Sequence, residues 1–175
     1  MPYLVAGVVL VGVLCAFDLI LTLAVVRRLR EHAALLEGGR AQVPFTAPGT
    51  TLPEFSASSL DGTTVTRAFF TEPTIVGLFS TTCASCQERL PEFTERIQGL
   101  DARRVLAVIE GEQDEAEPFT TALAPVATVI VEPARGPVNT AFGHPASPSF
   151  YIVGDGAVVT SSTLSPAGLP VPARA

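Results

Sequence analysis

The sequence predicts an α/β domain, a mixed sheet flanked by helices, standing behind one N-terminal transmembrane helix. Three observations predict it. A long apolar stretch is confined to the start of the chain; short apolar runs of strand length then alternate with segments of helical period; and a Gly-Asp-Gly turn joins two further strand-like runs near the end. The expected organisation is an anchor at residues 4–26, a juxtamembrane helix and linker at 27–52, the α/β domain at 53–163 and a flexible tail at 164–175.

Charge separates head from body. The net charge is −6, and all 11 basic residues are Arg. Residues 1–40 carry Arg27, Arg28, Arg30 and Arg40 against Asp18, Glu31 and Glu37, so the head balances at +1 and the remainder at −7. An acidic body argues against a phosphate-backbone partner, so no nucleic acid is expected. Between residues 4 and 26 the only charge is Asp18. At ~1.5 Å per residue such a helix reaches the ~30 Å of a bilayer's hydrocarbon. A cleavable signal peptide has a basic start, a shorter apolar core and a small-x-small exit. Here the start is Met1-Pro2-Tyr3 and the exit is Val26-Arg27-Arg28, so a retained anchor is expected. Asp18 at bilayer depth reads either as a tolerated neutral carboxyl or as a contact to a polytopic partner. Cys15, in the same span, reads as a small apolar residue. Residues 29–36 continue as a helix that Gly38-Gly39 would end, and Pro44, Pro48, Gly49 and Pro53 mark a linker.

In the body, residues 74–80 form a continuous apolar run suited to a central strand buried on both faces. Leu90, Phe93, Ile97 and Leu100 then recur at helical spacing over residues 88–100. A second buried strand is expected at 105–109, a helix with acids in its first turn at 114–123, and a third strand at 127–131. Residues 149–153 and 157–163 flank Gly154-Asp155-Gly156 as a hairpin, and Pro166, Pro170 and Pro172 suggest a frayed tail.

Cys83-Ala84-Ser85-Cys86 lies between the strongest strand and the next helix. At a helix N-terminus the unpaired N–H groups stabilise a thiolate, which makes Cys83 the accessible nucleophile and Cys86, one turn inside, the resolving thiol. A structural zinc site needs four ligands, and this pair supplies two; with only His32 and His144 as further imidazoles, no metal or other cofactor is expected. His144 is a candidate for tuning the sulfurs, Glu110 ends a strand near the redox helix, and the acids from Glu110 to Glu117 read as a solvated face or as a docking surface for a basic client.

The run Phe79-Ser80-Thr81-Thr82-Cys83-Ala84-Ser85-Cys86 with Leu90-Pro91 resembles a thioredoxin-fold redox centre. Leu52-Pro53-Glu54-Phe55 with Leu60-Asp61-Gly62 resembles the β-hairpin entry of the membrane-anchored TlpA-like and redoxin branch, and Ser147-Pro148 with the strand after it resembles that branch's cis-proline loop. The resemblance covers about residues 43–163. It implies a thioredoxin-like fold and a thiol–disulfide oxidoreductase, a reductase rather than an oxidase. Cys83 and Cys86 would form its redox-active disulfide, and Ser147 and Pro148 would meet the client. Thr82 and Arg89 depart from that branch's Trp and Glu and move the chain toward the methylamine-utilisation accessory branch, whose motif has a Thr-Cys start and a Leu-Pro end. A peroxidase of the same fold would need Pro and Thr where Val76 and Ser80 stand. The other alternative is a catalytically silent module that docks a membrane partner through Asp18 and the acidic body.

The expected partners are client proteins with disulfides or thiols and a membrane electron donor. Arg27, Arg28 and Arg30 would place the body in the cytoplasm by the positive-inside rule. Anchored relatives of the resembled branch work outside the membrane, where client disulfides persist. The expectation adopted is the cell membrane, single-pass, with the redox domain extracytoplasmic.

Overall fold

The computed structural model describes residues 45–169, together with Gly12, Cys15 and Phe17. Apart from those three positions the expected span at 4–26 and the juxtamembrane helix lie outside the described residues, as does the tail beyond residue 169. Among the described residues no helix is long and apolar enough to cross a membrane.

The body opens with a short antiparallel hairpin, β1 (Ser56–Ser58) and β2 (Thr64–Thr66). Its turn is closed by Asp61, whose carboxylate accepts from Ser59 Oγ and Thr63 N. There follow β3 (Thr74–Ser80), helix α1 (Ala84–Ile97), β4 (Val105–Glu110), helix α2 (Glu117–Leu123), β5 (Thr128–Glu132), helix α3 (Pro137–Ala141), β6 (Ser149–Gly154) and β7 (Val158–Thr163). The five long strands form one mixed sheet in the order β5-β4-β3-β6-β7. β3 runs parallel to β4 and antiparallel to β6, so the chain's first long strand becomes the centre. Both of its faces are covered, which is why residues 74–79 are all buried and its sequence is a run rather than an alternation.

Successive side chains of β3 divide the core in two. Val76 and Leu78 face a cluster built with the hairpin residue Val65, Val138 and Ala141 of α3, and Tyr151. Ile75 and Phe79 face a second cluster with Phe93 and Ile97 of α1 and Phe119 and Leu123 of α2. Between them on the α1 side, Gly77 leaves room for the Phe93 ring: a Cβ there would stand 2.9 Å from it. Phe93 stacks on Phe150 at a centroid distance of 5.2 Å and meets Phe79 edge-on at 5.3 Å. This aromatic group seats α1 on the sheet. Pro91 lies inside α1 and denies the Gln87 carbonyl its usual partner.

The structure corrects three sequence expectations. The linker reading fails for residues 45–53. Gly49 N donates to Val159 O at 2.7 Å, Leu52 N donates to Ala157 O at 2.9 Å, and Leu52 is buried, so this segment lines the outer edge of β7. The frayed-tail reading fails as far as Leu169: that side chain is buried, its carbonyl accepts from Arg96 Nη2 at 2.5 Å, and Arg89 Nη1 reaches Ser165 Oγ at 3.3 Å. Apolar burial and the two arginines of α1 outweigh the breaker effect of Pro166. The helix expected from residue 114 begins at Glu117, with Ala116 N bonded to Glu112 O in a preceding turn.

Candidate active site

β3 ends at Ser80, and two turn residues later Cys83 stands as the N-cap of α1 with extended backbone (φ −101°, ψ 109°). Cys83 N donates to Ser80 O at 3.2 Å and Cys86 N donates to Cys83 O at 3.0 Å, so the motif closes the first turn directly on the strand end. The turn is tied laterally as well. Thr81 N donates to Glu110 O at 3.0 Å, and the Thr81 hydroxyl donates to Glu115 Oε2 at 2.9 Å. Part of the acidic run therefore abuts the motif, a contact between segments that spacing along the chain did not reveal.

The two thiols, both free in the structure, differ in surroundings. Cys86 is fully buried, and its sulfur accepts from Ser80 N at 3.4 Å. Burial pushes its pKa up to about 12, against the pull of the Ser80 N–H, with the neighbouring Cys83 adding to the rise. Cys83 is partly exposed. Burial also works against its thiolate, but the Ser85 hydroxyl, the Cys86 thiol and the N–H groups of Cys86 and Ser85 together bring its pKa below that of a free thiol. Ser85 Oγ lies 3.1 Å from Cys83 Sγ. Of the two sulfurs, Cys83 is thus the more readily ionised and Cys86 the one held as thiol.

A second segment closes over Cys83. The Ser147–Pro148 peptide is cis, in agreement with the loop the resemblance implied, and the Cys83 thiol donates to Ser147 O at 3.2 Å. Ser149 Oγ donates to Ala146 O, and Pro145 and Pro148 are buried beneath the loop. The structure therefore brings Cys83, Cys86, Ser147 and Pro148 together. His144 is exposed and left-handed (φ 54°), and its imidazole makes no hydrogen bond to either sulfur. Glu110 meets the site through its backbone carbonyl alone. Among the described residues no three His, Cys, Asp or Glu side chains converge as metal ligands.

Glu132 is the residue that sequence reasoning passed over. It ends β5, is buried, and its carboxylate accepts from Val138 N at 3.0 Å and Asn139 N at 2.7 Å. Burial raises its pKa and those two N–H groups oppose the rise. The available signal was an acid closing an apolar strand just ahead of Gly136-Pro137, a helix start with no capping side chain of its own.

No protein-family model and no curated protein matches the chain. Solved structures do. The thioredoxin domain of a thiol–disulfide oxidoreductase from Bacteroides vulgatus superposes with a TM-score of 0.55 at 12% identity, over 68% of this chain and 89% of that one. A thio-disulfide isomerase from Thermus thermophilus gives 0.55 at 18%, over 67% and 86%. A thiol:disulfide interchange protein of the thioredoxin family from Chlorobium tepidum gives 0.53 at 19%, over 69% and 91%. At these identities the likeness is one of fold, and the domain has the thioredoxin fold.

Proposed function

We propose that this chain is a thiol–disulfide oxidoreductase working through Cys83 and Cys86. The observation that carries the reading is the unequal pair at the start of α1: a partly exposed Cys83, its thiol 3.2 Å from the Ser147 carbonyl and its pKa lowered, beside a fully buried Cys86 pushed up to about 12. The Cys83 thiolate attacks one sulfur of a client disulfide, forming a mixed disulfide and releasing the other client sulfur as thiolate. Cys86 then loses its proton, which the released client thiolate takes up, and attacks Cys83 Sγ. The second client sulfur leaves, the client has gained two electrons, and the protein holds a Cys83–Cys86 disulfide. The cis-Pro loop offers the Ser147 backbone as an edge for an extended client segment.

The reducing direction is supported by how the thiolate is held. Its donors are a hydroxyl, a thiol and backbone N–H groups, and no Arg or His among the described residues hydrogen-bonds either sulfur. Strong oxidants of this chemistry owe their power to a heavily stabilised reduced form. Turnover then requires a membrane electron donor to return two electrons to the disulfide. We assign the domain to the extracytoplasmic face of a retained anchor at residues 4–26, of TlpA-like type and nearest the methylamine-utilisation accessory branch on Thr82-Cys83 and Leu90-Pro91. An alkaline phosphatase fusion after Ala175 is expected to be active; activity confined to a cytoplasmic reporter overturns that placement.

The test of function is reduction of insulin by the purified, dithiothreitol-recycled full chain in detergent. Catalysed precipitation of the insulin B chain is expected, and a rate no greater than that of dithiothreitol alone overturns the reading.

A further inference from the structure

Helix α3 has five residues, too short to stand on propensity. Its N-cap is Gly136, which brings no side chain, and Pro137 at its first position has no N–H to satisfy. The remaining free donors of the first turn are Val138 N and Asn139 N, since Thr140 N already bonds to Gly136 O at 2.9 Å. One group takes both: the buried carboxylate of Glu132. The space it needs is kept by the missing side chain, because a Cβ on Gly136 would lie 2.4 Å from Glu132 Cδ.

The other end of α3 leads to Cys83. Gly143 N donates to Thr140 O at 3.0 Å and His144 N donates to Asn139 O at 2.9 Å, the two bonds of a Schellman ending with Gly143 and His144 both left-handed. The chain leaves that cap through buried Pro145 and arrives two residues later at Ser147, whose carbonyl meets Cys83 Sγ at 3.2 Å. Asn139 thus receives Glu132 at its N–H and holds His144 at its carbonyl.

We propose that Glu132 is a positioning residue for the client-facing loop, holding α3 from one end so that its other end fixes the Ser147 carbonyl beside Cys83. The proposal rests on the reading of Cys83 and Cys86 as the exchange site. Glu132 touches neither sulfur and is not among the groups that lower the Cys83 pKa, so it governs how a client strand is received and does not itself stabilise the thiolate.

The experiment compares two substrates on the full chain in detergent: insulin, which must pair with the loop, and iodoacetamide, which needs only the Cys83 thiolate. Glu132→Ala is expected to raise KM for insulin about ten-fold, the size of a lost hydrogen bond to a charged group, with Cys83 alkylation no slower than in the wild type. Glu132→Gln keeps one acceptor oxygen and should fall between. Gly136→Ala, which displaces the carboxylate without removing it, should reproduce the KM effect, and the double variant should add nothing further. An unchanged KM in a folded variant, or an equal loss of iodoacetamide reactivity, overturns the proposal. Native-state amide exchange on the wild type needs no substitution: Val138, Asn139 and His144 should open together, apart from α1, and independent opening of His144 overturns it. A wild-type chain inert toward insulin yet showing this joint opening would sink the functional reading and leave the role of Glu132 in holding the loop standing.

Discussion

The two segments that meet at Cys83 are held by different forces. Helix α1 is seated by Phe93 and Ile97, both fully buried, with Phe93 against Phe79 and Phe150. The loop at residues 143–148 has its two prolines beneath it but is otherwise directed by hydrogen bonds, from Glu132 through α3 to His144 and from Ser149 to Ala146. Aromatic packing is tight and intolerant of change, so it suits the element that carries the nucleophile. A hydrogen-bonded loop trades some of that rigidity for exposed backbone, which suits the element that receives a strand of variable sequence.

Substitutions can break this contrast at several depths. The largest effect is expected at the sulfurs. Cys83→Ser should abolish exchange, while Cys86→Ser should accumulate a mixed disulfide with client, visible as an added mass lost on reduction. If Cys86→Ser is the inert variant and Cys83→Ser the trapping one, the two roles are exchanged. Next comes the packed side: Phe93→Ala should cost about 3–5 kcal/mol of unfolding free energy in a denaturant titration. Leu169→Ala should cost about 2–4 kcal/mol, since this side chain is buried in the same core cluster as Phe93 and Ile97. A loss under about 0.5 kcal/mol, the ordinary surface value, would mean that the tail is loose after all.

The smallest effect is electrostatic. Ser85→Ala removes a donor to the Cys83 thiolate, so the folded pKa should rise, by less than about one unit for a hydrogen bond of about 1 kcal/mol. Alkylation followed against pH should therefore inflect at higher pH in the variant than in the wild type, and be slower at neutral pH. Cys86, held up to about 12 by burial, should stay unreactive over the same range in both. An inflection that falls on substitution would show that the serine does not stabilise the thiolate.

Much of the architecture was legible where one residue's environment is set by its own neighbours in sequence. A strand buried on both faces must be an apolar run, and residues 74–80 and 105–109 are such runs. The Cys83–Cys86 spacing after such a strand marked the site for the same reason. What escaped was decided by distant partners. Pro166 and Pro170 advertise a frayed end, yet Leu169 fills a place in the α1 cluster and Arg96 closes on its carbonyl. Pro48 and Gly49 read as a linker, yet the segment pairs with β7 through Thr50, whose carbonyl accepts from Val159 N at 2.9 Å. Glu132 drew no notice in the sequence. Its role as the cap of α3 depends on a fold-back between the end of β5 and Val138 that hydrophobic periodicity does not encode.

The most direct test of the central claim is the redox equilibrium of the full chain with glutathione, read by separating the reduced and oxidised forms after acid quenching. The account predicts one two-electron couple that involves both Cys83 and Cys86 and is lost in either serine variant, with a midpoint below about −180 mV, on the reducing side of the isomerases. A chain whose two thiols are glutathionylated independently, with no intramolecular couple, would contradict it.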